Sequence, residues 1–397
     1  MFKLHFDIRD IFRVVRLGWS GKKIWVGFCG TLIAYAGYSI LAVADHMVAG
    51  AAPGEIWQRY GFFPGLAPFP VTLAGVAVDV LALLYVWVVV LLTTCMICKI
   101  TYQQLKGDDF FSSGDAWGFV RQNWGGVVWG PVATLALLVF FVVAGIVIGW
   151  LAGLIPWAGE LAFGLLFIPI FFAALVAVFV SIAFVVSLTM SPAVVGTVGE
   201  DALEVAIQSF SLAWSQPWRL VLYMIWMKIS VSIGTVLLGV FMASSLALVS
   251  WACGLFMKEK LANMVYVAGQ YVPFDFTRSE WLSLDITAYL PPAGTPSGSE
   301  LLAGGILAVM LILLMVIFSS YVMSAYASGL SLIYVILRKR KDDENLLEWE
   351  DDEAGDDEEQ PEEVEATDDG VQEAGNDNPA ESENGDGEAS DTETGQN

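Results

Sequence analysis

Six long apolar runs constrain this chain more than any other feature of its sequence. A helix of about 20 apolar residues crosses the hydrocarbon core of a bilayer, and a soluble domain could not enclose six such runs, since 56% of the 397 residues are hydrophobic and only 15% are charged. The sequence therefore predicts an all-α polytopic integral membrane bundle of about six transmembrane helices. The predicted spans are 24–44, 71–98, 126–151, 161–190, 220–250 and 301–337.

The formal net charge of −23 comes from one end of the chain. Residues 342–397 contain 25 of the 42 acidic residues and no Lys or Arg, whereas residues 1–341 are nearly neutral. A segment this acidic and this poor in aromatic residues cannot bury enough apolar surface to fold alone. We therefore expect a cytoplasmic interfacial amphipathic segment at 1–23, a six-span bundle at 24–341 and a disordered acidic cytoplasmic tail at 342–397.

The positions of Lys and Arg predict the orientation. With six spans, 14 of the 19 basic residues lie on the side of the N-terminus and four on the opposite side, and cytoplasmic segments retain positive charge. Both termini are expected in the cytoplasm, in an inner or plasma membrane. The first apolar run is longer than the apolar part of a usual signal peptide, which favours a retained anchor.

Three short segments share a spacing that suggests an internal repeat. Each begins with an aspartate and has large apolar or small residues two, five and nine positions later, which lie on one helical face. The pattern predicts three interfacial amphipathic helices, each leading into an outward span; a shared interfacial composition without true repetition is the alternative. The segments are Asp10 with Phe12, Val15 and Trp19; Asp115 with Trp117, Val120 and Trp124; and Asp201 with Leu203, Ala206 and Phe210.

The third of these segments carries a family resemblance. SPAVVGTVGEDALEVAIQSFSLAWSQPWRLVLYM, residues 191–224, resembles a pattern in bacterial multi-span proteins related to the membrane domain of glycerophosphoryl diester phosphodiesterases. The likeness covers about 40 residues, and its motif is not specific. It implies a helical membrane module, because the soluble catalytic barrel of those enzymes has no counterpart in this sequence.

Residues that could support catalysis or hold a cofactor are scarce. His5 and His46 are the only histidines and fall on opposite sides of the predicted membrane, so neither a Ser-His nor a Cys-His pair is credible. Cys95 and Cys98 form a CxxC motif without the further ligands of a zinc site, which favours packing. No Walker-type loop and no basic aromatic surface for nucleic acid is present. We predict neither a metal nor another cofactor.

Asp79 and Lys228 are the two ionisable residues predicted to lie deep within spans. Both lie roughly 12–14 Å from the start of their apolar runs at 1.5 Å per residue, near the midplane of the hydrocarbon core. Intramembrane charges are costly and are usually paired or functional. A polar centre formed by Asp79 and Lys228 is one hypothesis; a structural salt bridge and a lysine that snorkels towards the cytoplasm are the alternatives.

Small residues recur at four-residue spacing in two spans, at Gly145, Gly149 and Gly153 and at Ser320, Ser324 and Ser328. Such faces allow close contact between helices. We expect them to pack within the bundle, with dimerisation as the alternative.

Together these features favour a non-enzymatic membrane protein that acts as a scaffold or as a lipid- or envelope-associated factor. The predicted partners are the lipid bilayer and a basic cytoplasmic protein recruited by the acidic tail, with no nucleic acid. Within the tail, Leu346, Leu347 and Trp349 form either a docking peptide or a frayed end of the last helix. The competing function is a transporter or channel that uses the Asp79/Lys228 centre.

Overall fold

The computed structural model describes residues 6–66, 72–272, 278–279, 284–285, 290–342 and 346–348. Nearly all of these residues are helical. The strands are a two-residue antiparallel pairing of β1 (Arg278–Ser279) with β2 (Leu284–Asp285). The helices are α1 (Ile8–Ile11), α2 (Val14–Gly18), α3 (Gly21–Val48), α4 (Pro53–Tyr60), α5 (Leu73–Lys106), α6 (Ser113–Leu154), α7 (Ala158–Leu165), α8 (Phe167–Val198), α9 (Ala202–Ser215), α10 (Pro217–Met257), α11 (Glu259–Tyr271) and α12 (Gly298–Asp342).

Six helices are long and apolar enough to cross a membrane, which confirms the predicted fold class: α3, α5, α6, α8, α10 and α12. Several extend beyond the predicted spans. The 42 residues of α6 reach about 63 Å at 1.5 Å per residue, twice the thickness of the hydrocarbon core. Pro131 lies inside α6, whereas Pro169 falls in the first turn of α8, where the missing N–H is tolerated.

Successive long helices form three hairpins: hairpin 1 from α3 and α5, hairpin 2 from α6 and α8, and hairpin 3 from α10 and α12. We call the end of the bundle where each hairpin starts and finishes the inner end, and the opposite end the outer end. The returning helices α5, α8 and α12 meet in the middle of the inner end. There Cys98 donates a hydrogen bond to the carbonyl of Ala327 (3.3 Å), and Gly196 lies directly against Cys98.

The segments that lead into the hairpins are here called elbows 1, 2 and 3 (residues 8–19, 113–129 and 201–215). Elbow 2 packs on hairpin 1, elbow 3 packs on hairpin 2 and elbow 1 packs on hairpin 3, so the arrangement is cyclic. Three contacts of aromatic rings define it. The ring centroids of Trp19 and of Tyr321 in hairpin 3 are 5.2 Å apart, and those of Phe210 and of Phe179 in hairpin 2 are 6.0 Å apart. The Lys99 ammonium of hairpin 1 lies 4.0 Å from the ring centroid of Phe119.

The main hydrophobic core occupies only the inner half of the bundle. Its members on the returning helices lie within 91–105 of α5, 183–195 of α8 and 325–337 of α12. In contrast, hairpin 2 has no buried side chain at 135–154 or at 167–179. The outer half of this hairpin therefore presents apolar side chains outwards, as a helix surrounded by lipid does.

The small-residue faces follow the same division. Ser320, Ser324 and Ser328 are fully buried, and Ser324 donates a hydrogen bond to the carbonyl of Gly18 (2.8 Å), which confirms packing within the bundle for this face. For Gly145, Gly149 and Gly153 the prediction is wrong, because no described atom lies within 4 Å of a Cβ added at any of them. That face lies in the outer half of α6, beyond the core.

At the outer end, α11 is a 13-residue helix. It does not lie freely on the surface, because Ala268 packs with Ala308 and Leu311 of α12 in a second, smaller cluster.

Candidate functional site

The polar site of hairpin 1 is built around Asp79, but its partner differs from the predicted one. Asp79 forms a side-chain hydrogen bond with Asp45 of α3, a residue only 1% exposed. A hydrogen bond between two carboxyl groups requires a proton on one of them, because an ionised carboxylate only accepts. The two carboxyl groups therefore face each other across hairpin 1, and an Asp–Asp contact of this kind can exist only while one of the acids carries a proton.

The spacing of small residues explains why α3 and α5 approach closely enough for this contact. Gly30 of α3 lies against Thr93, and Gly37 lies against the ring of Tyr85, whose hydroxyl donates to the carbonyl of Ile33 (2.9 Å). Running antiparallel with this register, the two helices bring Asp45 opposite Asp79.

The imidazole of His46 and the loop after α4 lie beside the carboxyl pair. His46 Nε2 is 2.9 Å from the carbonyl of Gly65, and its ring lies 4.8 Å from that of Tyr60. The hydroxyl of Tyr35 donates to the carbonyl of Phe62, so the segment after α4 folds back along α3. The result is a covered cluster at the outer end, since Asp45 is three residues from the end of α3; it is not the midplane centre that apolar-run counting predicted.

Lys228 does not join this cluster. It is an exposed residue of α10 and makes no hydrogen bond or ion pair with any residue that the structure describes. The structure therefore does not bring Asp79 and Lys228 together, and the lysine is left to extend along the outside of hairpin 3, where a long side chain can snorkel.

The three aspartates of the suggested repeat have different environments. Asp10 is fully buried in α1 and lies 3.4 Å from Arg13. Asp115 forms a reciprocal capping box with Ser112 at the start of α6. Asp201 occupies the N-cap position of α9 without a side-chain cap.

The aromatic residues at the ninth offset lie mostly outwards. Trp19 and Trp124 are 62% and 49% exposed, whereas Phe210 is half-buried against Phe179. Elbow 2 also differs from the other two, because it is continuous with its span, whereas α9 is separated from α10 at Gln216. The cyclic packing is thus shared by three elbows of unequal local structure, and sequence repetition itself stays a prediction.

The first tail residues return to the core. Leu346 is fully buried, and its carbonyl accepts a hydrogen bond from the hydroxyl of Tyr102 (2.6 Å). Leu347 packs on the same core cluster. Both belong to a short 3-10 turn, so this part is more than a frayed helix end; Trp349 and the disorder predicted for the rest of the tail lie outside the described residues.

Sequence reasoning missed a buried lysine at the inner end. Lys23 is 0% exposed, and its ammonium donates to the carbonyl of Leu17 (3.0 Å) and to the hydroxyl of Ser328 (3.3 Å). The Ser328 hydroxyl also lies 3.0 Å from that of Thr101. This network joins elbow 1 to hairpins 1 and 3. The position of Lys23 near the start of a span is typical of a surface cation. The ammonium is buried because α12 packs over it.

Two hollows open at the inner end. An apolar groove of about 380 Å³ runs between α3, α5 and the first turn of α6, with Trp25 and Trp117 among its lining residues. A more polar cavity of about 890 Å³ lies between elbow 1 and the end of α5 and is lined by residues that include Arg13, Arg16 and Gln104.

Within the described residues, no three His, Cys, Asp or Glu side chains are grouped so as to hold a metal ion. Cys95 and Cys98 are both buried and unbonded to each other, consistent with packing. Comparison of the chain with protein-family models, with curated proteins and with solved structures finds no match.

Proposed function

We propose that this protein is a non-enzymatic scaffold of the inner or plasma membrane, with both termini in the cytoplasm and with its inner end as the cytoplasmic face. The distribution of charge supports this orientation, because Lys22, Lys106, Arg219 and the basic residues at 338–341 all lie at the inner end. Exposed indoles such as Trp218 lie at the same end, as expected for an interfacial belt. The helical membrane module implied by residues 191–224 fits the same proposal.

The observation that carries the scaffold function is the anchoring of the tail root. Because Leu346 is buried and bonded to Tyr102, the acidic segment after it starts from a fixed point on the inner end. Residues 350–397 contain 21 acidic and no basic residues, a composition that attracts cationic surfaces and is repelled by anionic lipid. A basic cytoplasmic protein is the partner that this chemistry fits.

Copurification from the protein's own cells tests recruitment. Three forms are compared: the full chain, a chain ending at Glu348 that keeps the Leu346 anchor, and a full-length chain whose tail has the same residues in shuffled order. We expect a basic protein to copurify with the full and shuffled chains, to be lost with the shortened one, and to dissociate as salt rises. Equal recovery with all three forms contradicts the proposal.

A specific observation favours a second function, proton-coupled transport. The carboxyl groups of Asp45 and Asp79 face each other at the outer end of hairpin 1, and acids within transmembrane helices serve as proton relays in transporters. The candidate centre is then Asp45 and Asp79, without Lys228. Proton flux into proteoliposomes that is lost on Asp79→Asn and kept on Lys228→Met supports transport, and flux no greater than that of empty liposomes excludes it.

A further inference from the structure

The polar cavity at the inner end contains the elements of a lipid headgroup site. Its volume is about 890 Å³, and it is open on one side. One wall comes from elbow 1 and the other from the end of α5 and the turn that follows. Charged, amide and aromatic side chains line it together, among them Arg13, Arg16, Phe12, Trp19, Gln104 and Asp109.

The acidic side chains near the cavity already face cations. Asp10 lies 3.4 Å from Arg13, and Asp7 lies 3.2 Å from Arg340. On the opposite wall, the carboxylate of Asp109 interacts electrostatically with Lys23, and its backbone carbonyl accepts a hydrogen bond from Lys22 (2.8 Å).

Arg16 also lines the cavity and takes part in none of these pairs. It is exposed, and its guanidinium makes no hydrogen bond or ion pair with any described residue. Across the cavity, the side-chain oxygen of Gln104 is shielded from solvent yet has no hydrogen-bond partner in the described part of the chain. Because a glutamine amide carries both a donor and an acceptor, this group can serve a ligand in either role.

Two exposed aromatic rings lie beside the arginine. Phe12 and Trp19 are 50% and 62% exposed, and both are fixed from behind by edge-on contacts with Trp226 and Tyr321. An indole beside a guanidinium at the end of membrane-spanning helices fits the level of glycerol and phosphate groups. A ligand here must be charged at one end and apolar at the other.

We propose that this cavity binds the phosphate headgroup of an anionic phospholipid of the inner leaflet, with Arg16 as the phosphate ligand and Phe12 and Trp19 against the start of the acyl chains. Basic pockets between membrane helices on the cytoplasmic side recognise such headgroups, and the planar guanidinium suits a phosphate. The inference rests on the membrane placement in the proposed function and is independent of recruitment by the tail.

Native mass spectrometry of the full chain, titrated with phosphatidylglycerol or phosphatidylcholine in detergent, tests this site. We expect phosphatidylglycerol to bind more tightly, and Arg16→Gln to weaken its binding about tenfold, as loss of a charge-assisted hydrogen bond does. Arg16→Lys should restore part of the affinity. Arg121→Gln is the matched control, because Arg121 is also an exposed arginine at the inner end and does not line the cavity.

Three results would overturn the site. Equal weakening by Arg16→Gln and Arg121→Gln would mean general surface attraction, equal binding of the two lipids would remove the anionic specificity, and full competition by millimolar inorganic phosphate would assign the cavity to a soluble anion. The chain ending at Glu348 should bind phosphatidylglycerol unchanged, so the lipid site and the tail's recruitment can fail separately. Because Arg16 is exposed, all variants should elute as the wild type on size exclusion.

Discussion

The inner and outer halves of this bundle are made of the same apolar residues but are packed differently. At the inner end, three elbows and three returning helices enclose a continuous core, whereas the outer half of hairpin 2 buries no side chain at 135–154 or 167–179. Apolar composition alone cannot produce this difference, because lipid is as apolar as leucine. Small residues and polar contacts at the inner crossings hold the helices together there, and the outer half of hairpin 2 is left to lipid.

The largest expected effect comes from truncating the same type of side chain, an isoleucine, in each half. Ile333→Ala, at a fully buried position of α12, should lower the free energy of unfolding by about 2–5 kcal/mol, because it leaves a cavity in a close-packed core. Ile146→Ala, at a 65% exposed position of α6, should have little effect. Thermal unfolding in one detergent measures both, and similar shifts would mean that the outer half is packed as well.

A methyl group added to a glycine tests the same contrast from the opposite direction. A Cβ at Gly196 would lie 2.8 Å from Cys98 Cβ and 3.0 Å from the Cys95 carbonyl, so Gly196→Ala should destabilise by about 1–3 kcal/mol through overpacking. At Gly149, where no atom lies within 4 Å, the same change should be neutral or slightly stabilising. A destabilised Gly149→Ala in thermal unfolding would indicate that a second copy or another helix occupies that face.

The carboxyl pair is a polar contact of the outer half, and its loss should have a smaller effect. Asp79→Ala removes the hydrogen bond to Asp45 and should lower the unfolding temperature by less than the two inner changes. Asp79→Asn should retain most of the stability, because an amide can donate to the remaining carboxylate without sharing a proton. If the asparagine variant unfolds as early as the alanine variant, the hydrogen bond is not what holds hairpin 1 there.

Helix caps extend the comparison to the ends of the spans. Ser112 forms a capping box with Asp115 at the inner end, whereas Thr72 at the outer end only accepts from the Gly75 amide (3.2 Å). Ser112→Ala should cost about 1 kcal/mol, and Thr72→Ala should cost less, since it breaks a single bond. A reversed order in thermal unfolding would contradict the stronger fixation of the inner end.

Lys228→Met should have the smallest effect. Because Lys228 is exposed and has no described partner, its replacement by an apolar side chain of similar length should leave the unfolding temperature and expression in the membrane fraction unchanged. A clear loss of either would revive an intramolecular role for this lysine.

Much of the fold could be read from the sequence, but little of the candidate sites could. The six spans and the capping box at Ser112 follow from local rules of hydropathy and helix ends. The partner of Asp79 could not be predicted, because apolar-run counting gives depth along each helix and no neighbours. Their equal predicted depth suggested that Asp79 pairs with Lys228, whereas the register set by Gly30 and Gly37 places Asp45 opposite Asp79. Lys23 was missed for the same reason, since a cation near the start of a span is buried only if another helix covers it.

The sequence by itself determined that six helices span, in which order they run, and that the acidic residues gather at one end, because hydrophobic run length and charge are properties of single segments. Only the tertiary structure decided which helices are neighbours. The cyclic packing of elbows on preceding hairpins, the contact of Asp45 with Asp79 and the cavity beside Arg16 each join residues far apart in the chain. Such contacts depend on side-chain shape across helix crossings, which no single segment contains.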